Sequence, residues 1–261
     1  MATRKTIQTY AAALIFALVA FAPQARTITS EVFDTVIAGG RVMDPETNYD
    51  AIANIGIRQG TIARISTDRL KGNRRIDAKG LVVSPGFIDI HSHTSHTPTR
   101  LGEHLNVLDG ITTQLDLEAG SYPATDYGYQ YRAGAQLHFG SSVGHFAIRG
   151  LVMDNSTQGY FFNEDGFISL GGGMWSQTAT PAQVKEMRKH LRNGLELGGL
   201  GIGVLLDYMT EAVTESELSM IFEIAAEYDT PVYVHVRRGM PGDPTGLDEV
   251  IALAEAHKVA T

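Results

Sequence analysis

The protein is a chain of 261 residues that carries 21 Lys+Arg against 29 Asp+Glu, so its formal net charge is -8. Hydrophobic residues make up 43% and charged residues 19%, which excludes a wholly disordered chain, a collagen-like fibre and a polytopic membrane protein. The acidic balance predicts no nucleic-acid partner, and the absence of cysteine excludes disulfides and cysteine metal sites.

The N-terminal segment predicts export. Arg4 and Lys5 form a short basic region, and residues 10–22 are then apolar throughout. About a dozen apolar residues suit the core of a signal peptide, whereas a helix that spans a bilayer needs ~20. We expect residues 1–25 to be a cleaved signal peptide, which leaves a secreted or periplasmic protein without a stable membrane span. An uncleaved anchor or a buried strand is the alternative.

Residues 31–80 have the pattern of a small β-sheet domain. Apolar and polar residues alternate with period two, and the alternation breaks at Gly39-Gly40 and at Gln59-Gly60. We predict short strands at residues 33–38, 41–44, 52–57 and 61–65. Because so few residues bury only a thin core, we expect these strands to pack against another part of the protein.

Residues 81–261 have the pattern of an α/β domain. Nearly continuous apolar runs, typical of parallel strands covered on both faces, lie at residues 81–90, 111–117, 135–143, 200–206 and 231–236. Helices are predicted at residues 181–197, after a capping-box pattern at 214–217, and at residues 247–257. The glycine-rich stretch 145–178 is predicted to be an irregular loop over a site.

The number of predicted strands bears on the architecture. Strands that alternate with helices predict a parallel sheet. A (β/α)8 barrel has eight strands and typically ~250 residues, whereas the segment from residue 81 has five predicted strands and ends directly after a helix. We therefore expect the N-terminal part of a C-terminally truncated barrel, and a smaller open sheet is the alternative.

His91 and His93 form the sharpest motif. They follow the first predicted strand of this domain, and residues two apart on a strand point the same way. Both imidazoles would therefore lie at the carboxyl end of the sheet, where barrel enzymes place their sites. Neutral imidazole is a good ligand for Zn²⁺ and similar ions, so the motif predicts a metal site. The alternative to a metal site is that His91 and His93 are fortuitous surface histidines. Asp89, two residues before His91, is expected to orient an imidazole.

A family resemblance supports this prediction. Residues 85–93 resemble the metal-binding signature of the amidohydrolase superfamily. Further segments resemble the N-acyl-D-amino-acid deacylase branch in family order, namely residues 33–44, 109–113, 143–149, 199–208 and 234–237. The resemblance covers about residues 31–261 and implies a TIM barrel of the metal-dependent-hydrolase type, with a small N-terminal β-sandwich portion.

The resemblance implies further metal ligands on two other strands. Gln114, Asp116 and Glu118 share one face of the second strand, and three inward polar side chains are costly unless paired or metal-bound. Many family members have a bridging cysteine near Ala119, and we expect Glu118 to replace it; a plain salt bridge is the alternative. By the same resemblance His235 binds a second metal, unless it is a satisfied core histidine.

Four residues are predicted to bind substrate. Arg237 follows His235 on the same face, and a guanidinium suits a substrate carboxylate. Tyr208, beyond the fourth strand, is a second candidate, with ordinary packing as the alternative. His145 and Arg149 follow the third strand and are predicted to line the pocket.

The implied reaction is metal-dependent hydrolysis of an amide C–N bond in a small molecule, an N-acyl-D-amino acid, with one or two divalent ions such as Zn²⁺. The family takes another histidine ligand from strand six and a catalytic aspartate from strand eight. Neither strand is expected within these 261 residues, so the catalytic residue stays unknown. The alternatives are hydrolysis of another cyclic amide or dipeptide, and an inactive truncated fragment that only binds metal.

Overall fold

The computed structural model describes residues 31–93, 101–125, 127, 134–160, 162–163, 166–167 and 171–261. These residues form two compact units, which divide after Pro85. The predicted signal peptide lies outside the described residues and stays a prediction. Within the described part of the chain, no helix is long and apolar enough to cross a membrane.

The first unit is a mixed β-sheet. Its strands are β1 (Val32–Asp44), β2 (Tyr49–Arg58), β3 (Thr61–Ser66), β4 (Lys71–Asp77) and β5 (Val82–Val83). The order is β3-β2-β1-β4, with β5 also paired to β1; β1–β2 and β2–β3 are antiparallel, whereas β4 and β5 run parallel to β1. Two small apolar clusters form its core, one around Phe33 and Val36 and one around Val42 and Ile55.

Glycine-containing breaks act differently at the two predicted positions. Gln59 and Gly60 both have positive φ and form the predicted tight turn between β2 and β3. At Gly39-Gly40 the chain does not turn: β1 continues through a register shift between Ile37 and Gly40. Gly40 is required there, because a Cβ would lie 2.6 Å from the Val83 side chain. The two predicted strands 33–38 and 41–44 are therefore one bulged strand.

The second unit is an α/β domain. Its strands are β6 (Phe87–Asp89), β7 (Ile111–Ser121), β8 (His138–Gly144), β9 (Phe162–Asn163), β10 (Gly166–Phe167), β11 (Ile202–Leu205) and β12 (Val232–His235). Its helices are α1 (Leu101–Leu108), α2 (His145–Asp154), α3 (Gly173–Ser176), α4 (Pro181–Glu196), α5 (Glu215–Glu227) and α6 (Thr245–His257). Five strands form a parallel sheet in the order β12-β11-β8-β7-β6, and β9 and β10 form a separate antiparallel pair.

The parallel sheet follows chain order, as expected when each strand is connected to its neighbour through helical segments. Its covered face packs against α2, α4 and α5 through fully buried residues such as Val143, Ile202, Leu191 and Phe222. Because all five strands are parallel, their carboxyl ends meet at one edge of the sheet. This edge carries the residues described below.

Local signals explain the helix boundaries. The Thr180 hydroxyl accepts from the Gln183 backbone N–H, the Gln183 side chain accepts from the Thr180 N–H, and Pro181 opens α4. At α5, Thr214 likewise accepts from the Glu217 N–H. The Glu217 carboxylate does not complete the predicted capping box, because it is bound elsewhere in the core.

Two predictions about this unit are wrong. Residues 81–90 are not one buried strand: β5 joins the first unit's sheet, β6 joins the second, and Phe87 and Ile88 are more than half exposed. Ser84–Gly86 separate the two pieces, where Pro85 offers no N–H for pairing. The stretch 145–178 is not only a loop, because it contains α2, whose residues from His145 to Gly150 are buried.

Candidate metal centre

His91 and His93 lie at the carboxyl edge of the sheet, just beyond β6. The chain remains paired with β7 there, since the Ser92 backbone N–H donates to the Leu115 carbonyl over 3.0 Å. The alternation of a strand therefore continues, and both imidazoles face the same side. Their ring centroids are 5.0 Å apart and their planes nearly perpendicular.

Glu118 is the centre of the cluster. It lies on β7, and its Oε2 is 2.9 Å from His91 Nε2 and 3.4 Å from His93 Nε2. Its other oxygen, Oε1, is 2.7 Å from Nδ1 of His235 at the end of β12. One carboxylate on β7 thus contacts three imidazoles, two from the chain just beyond β6 and one from the end of β12.

The donor set fits a divalent metal. Ligand atoms of His91, His93 and Glu118 all lie within 4.8 Å of one another. Tetrahedral ligands at zinc distances stand about 3.3 Å apart, which is close to the 2.9 and 3.4 Å that separate Glu118 Oε2 from the Nε2 atoms of His91 and His93. The two carboxylate oxygens of Glu118 face different histidines, Oε2 towards His91 and His93 and Oε1 towards His235. Two imidazoles and a carboxylate are ligands that Zn²⁺ accepts.

The electrostatics of the cluster favour positive charge. Burial disfavours the charged form of His93, but hydrogen bonds and attraction to Asp116 and Glu118 outweigh it and raise its pKa to about 9. Burial likewise disfavours the charged form of Glu118, which for a carboxyl group raises the pKa. The hydrogen bond from His93 and the charges of the nearby imidazoles outweigh burial and bring the pKa of Glu118 below its usual value. A metal ion and protons would compete for these same nitrogen atoms, because only deprotonated imidazole binds metal.

Asp116 supports the first pair of histidines. It is almost fully buried on β7, and its Oδ1 lies 3.2 Å from His93 Nδ1 while accepting the Gly120 backbone N–H. A carboxylate on the far nitrogen of a metal-binding imidazole fixes the ring orientation. The sequence analysis predicted that Asp89 orients an imidazole. Its side chain instead accepts a hydrogen bond from the backbone N–H of His91 over 3.0 Å.

Asp207 supports the third histidine and was missed by sequence reasoning. It directly follows β11 in a single 3-10 turn, Leu206–Met209, and its Oδ2 is 3.7 Å from His235 Nε2. The same oxygen is 2.6 Å from the guanidinium of Arg238, whose side chain is 75% exposed. The available signal was its position, because an acidic residue that ends a parallel strand lies at the functional edge.

Tyr208 lies beside this histidine. Its ring centroid is 5.4 Å from that of His235, in an edge-on arrangement. Next to His91 and Glu118 lies a cleft of about 420 Å³, which is lined by residues of β7, β12 and α6. The predicted role of Tyr208 in substrate binding stays a prediction.

Arg237 does not face this cleft as an available cation, and its predicted role is wrong. Its Nε donates to Glu249 Oε2 over 2.8 Å, and its two terminal nitrogens donate to the backbone carbonyls of Thr210 and Val213. All three guanidinium nitrogens are therefore used to connect the end of β12 to α6 and to the turn before α5.

His145 and Arg149 do not line the pocket either, so this prediction is also wrong. Both are fully buried and bind the carboxylate of Glu217 on α5, with Nε2 of His145 at 2.8 Å and Nη1 of Arg149 at 2.6 Å. The residues begin α2 rather than a loop, and α2 packs into the core.

Comparison with known proteins identifies this arrangement. Residues 74–257 match the model of the amidohydrolase family. The chain belongs to that family. The D-aminoacylase of Alcaligenes xylosoxydans xylosoxydans is 28% identical in an alignment 260 residues long. This alignment covers 81% of this chain and 52% of the relative. An allantoinase of Escherichia coli O1:K1 / APEC is 32% identical over 150 residues, which cover 53% of this chain and 32% of the relative.

A solved structure supports the same fold. The N-acyl-D-glutamate deacylase from Bordetella bronchiseptica, complexed with zinc and a phosphonate inhibitor, has a TM-score of 0.69 and 22% identity. The match covers 88% of this amidohydrolase chain and 51% of the deacylase. The chain thus spans about half the length of the deacylase and of the D-aminoacylase. The α/β unit is of the barrel-like amidohydrolase type.

Proposed function

We propose that this protein is a metal-dependent hydrolase that cleaves the amide C–N bond of N-acyl-D-amino acids. The observation that carries the proposal is the Glu118 carboxylate, whose two oxygens contact the imidazoles of His91, His93 and His235. The D-aminoacylase relative supports the substrate class. The metal we propose is Zn²⁺, as one or two ions.

The chain's residues have distinct tasks in this proposal. His91, His93, Glu118 and His235 would hold the metal, and a divalent ion bound there would polarise the acyl oxygen of the substrate and lower the pKa of a water molecule. Glu118 keeps its negative charge at neutral pH, because the surrounding imidazoles lower its pKa. The family resemblance assigns proton transfer to an aspartate of an eighth strand, and we give no described residue that role.

Substrate binding falls to the residues around His235. The Tyr208 hydroxyl would donate a hydrogen bond to the substrate, since its ring borders the metal centre. Arg238 replaces Arg237 as the proposed partner of the substrate carboxylate. Its guanidinium is exposed and held next to the centre by Asp207, whereas each guanidinium nitrogen of Arg237 already donates a hydrogen bond within the protein.

The metal-centre proposal is tested with the double variant His91→Asn, His93→Asn. We expect loss of stoichiometric zinc, measured by elemental analysis, and loss of N-acetyl-D-amino acid hydrolysis. The matched control is His138→Asn, because His138 is exposed at the amino end of β8 in the same sheet. Full zinc content in the double variant would refute the proposed centre.

A second candidate function is hydrolysis of a cyclic amide or a dipeptide, and the allantoinase relative favours it. Hydantoins, allantoin and isoaspartyl dipeptides, assayed beside N-acetyl-D-amino acids, distinguish the substrate classes. Zinc binding without turnover of any of them would instead support an inactive metal-binding fragment.

For the fold, we further propose a (β/α)8-type barrel for the second unit and a β-sandwich portion for the first.

A further inference from the structure

A closed cluster of charges lies in the core, apart from the metal centre. Arg149, Glu217 and His145 are all fully buried. Nη1 of Arg149 lies 2.6 Å from both oxygens of Glu217, and His145 Nε2 lies 2.8 Å from Oε1. Burying charges is costly even when they are paired. Arg149 makes two further hydrogen bonds, to backbone carbonyls of Met174 and Gln177, and these indicate a role for the cluster.

Arg149 holds the short helix α3. Its Nε donates to the Met174 carbonyl over 2.8 Å and its Nη2 to the Gln177 carbonyl over 2.7 Å. At the other end, Asp154 accepts the backbone N–H groups of Gly173 and Met174 over 3.1 and 2.9 Å. A carboxylate at the amino end and a guanidinium at the carboxyl end satisfy the unpaired groups of a helix and match its dipole.

The helix α3 carries Trp175, which contacts the residues beside the metal centre. The indole stacks on Phe146 of α2 at 6.2 Å between centroids, with the planes 12° apart. It meets the ring of Tyr208 edge-on at 6.3 Å, and Tyr208 meets the imidazole of His235 at 5.4 Å. Contacting rings therefore lead from the clamped helix to a proposed metal ligand.

We propose that Arg149 is a positioning residue for the metal centre. It fixes α3, the indole of Trp175 then fixes the Tyr208 ring, and this ring limits rotation of the His235 imidazole. The inference rests on the proposed function, since it takes His235 as a metal ligand. Loss of a group that hydrogen-bonds a metal ligand directly typically weakens metal affinity by ~10–100-fold. Arg149 acts through the rings of Trp175 and Tyr208, so we place its effect at the lower end of that range.

The test uses Arg149→Lys in the full chain. Lysine keeps a positive charge for Glu217, but as a point charge it cannot also bond both carbonyls of α3. Trp175 is the only tryptophan, so its fluorescence reports on α3 directly. We expect a shifted emission and a zinc Kd about tenfold weaker. The matched control, Arg192→Lys, alters an exposed Arg–Glu pair between α4 and α5 and leaves both quantities unchanged.

Two further variants make the test specific. Asp154→Asn loosens the other end of α3 at an exposed residue, so it folds even where Arg149→Lys does not, and it changes emission and zinc Kd in the same direction. In a His235→Asn background, Arg149→Lys no longer alters the zinc Kd, because its effect acts through the missing imidazole. A purely structural role of Arg149 predicts no such cancellation.

The outcomes separate this inference from the proposed function. An unchanged zinc Kd in a folded variant with shifted Trp175 emission overturns the positioning role but upholds the metal centre. Weaker zinc binding without any change in emission also overturns it, because α3 would not carry the effect. If the unaltered chain binds no zinc, the proposed function fails, and the positioning role fails with it.

Discussion

Glu118 and Glu217 both bind histidine near the carboxyl ends of parallel strands, yet their surroundings differ in access and in partner. Glu118 retains 17% exposure and contacts three imidazoles. Glu217 has no exposure and is bound by one imidazole and one guanidinium. The first cluster borders a cleft, whereas the second is enclosed by α2, α3 and α5.

The partner decides what each carboxylate can do. A guanidinium is always charged and presents its donors in a fixed fork, so Arg149 occupies the oxygens of Glu217 permanently. An imidazole, unlike a guanidinium, can give up its proton and then offers a lone pair to a metal. Proximity of histidine and glutamate therefore does not by itself identify a metal centre. Among the described residues, the Glu118 carboxylate differs from that of Glu217 in its access to solvent and in having imidazoles rather than a guanidinium as its partners.

The largest expected effect concerns the enclosed cluster. Glu217→Gln removes the negative charge and leaves Arg149 buried without its counter-ion. Breaking a buried ion pair by removing one partner costs about 3–5 kcal/mol. We expect this decrease in the free energy of unfolding, measured by urea denaturation at neutral pH.

The control for this variant is Glu227→Gln, which removes the partner of Arg192 in an exposed pair. Such pairs contribute little, because solvent screens them and their long side chains lose entropy on pairing. We expect no measurable change in the urea midpoint. Equal losses in both variants would show that burial does not distinguish the two pairs.

Much of the fold follows from local signals. Thr180, Pro181 and Gln183 predicted the start of α4, because a capping box depends on residues three positions apart. Five apolar runs predicted the five strands of the parallel sheet, although β6 is much shorter than its run. The same motif logic placed His91 and His93 correctly at the sheet edge, since strand alternation is a local property.

The errors lie where distant residues decide. The sequence around His145 and Arg149 predicted pocket residues, but both side chains bind Glu217 of α5, which lies about 70 positions along the chain. Likewise, Arg237 is occupied by carbonyls of Thr210 and Val213, which no pattern around residue 237 reveals. Sequence patterns indicate at which strand end a side chain lies, but not which distant residue it contacts in the folded protein.

The second prediction concerns the open cluster. Glu118→Gln keeps the size of the side chain but removes the charge between the three imidazoles. We expect zinc affinity to fall by at least about tenfold, since an amide is a poorer ligand for Zn²⁺ than a carboxylate. The urea midpoint of the metal-free chain changes far less than in Glu217→Gln, because the site is open to water. A large loss of stability with unchanged zinc affinity would reverse the roles assigned to the two glutamates.

The smallest expected effect is a pH dependence of the enclosed cluster. Burial alone would raise the pKa of Glu217, but the hydrogen bond from His145 and the charges of His145 and Arg149 outweigh it and lower the pKa in the folded state. A lowered folded-state pKa contributes stability that is present above the ordinary value of 4.5 and is lost as pH falls through the folded value. The difference in free energy of unfolding between the unaltered chain and Glu217→Gln should therefore be constant near pH 7 and narrow below about pH 4.5, as urea titrations at several pH values would measure. A difference that stayed constant down to pH 3 would mean that the Glu217 carboxylate gains nothing from Arg149 and His145, and the contrast with Glu118 would then rest on access alone.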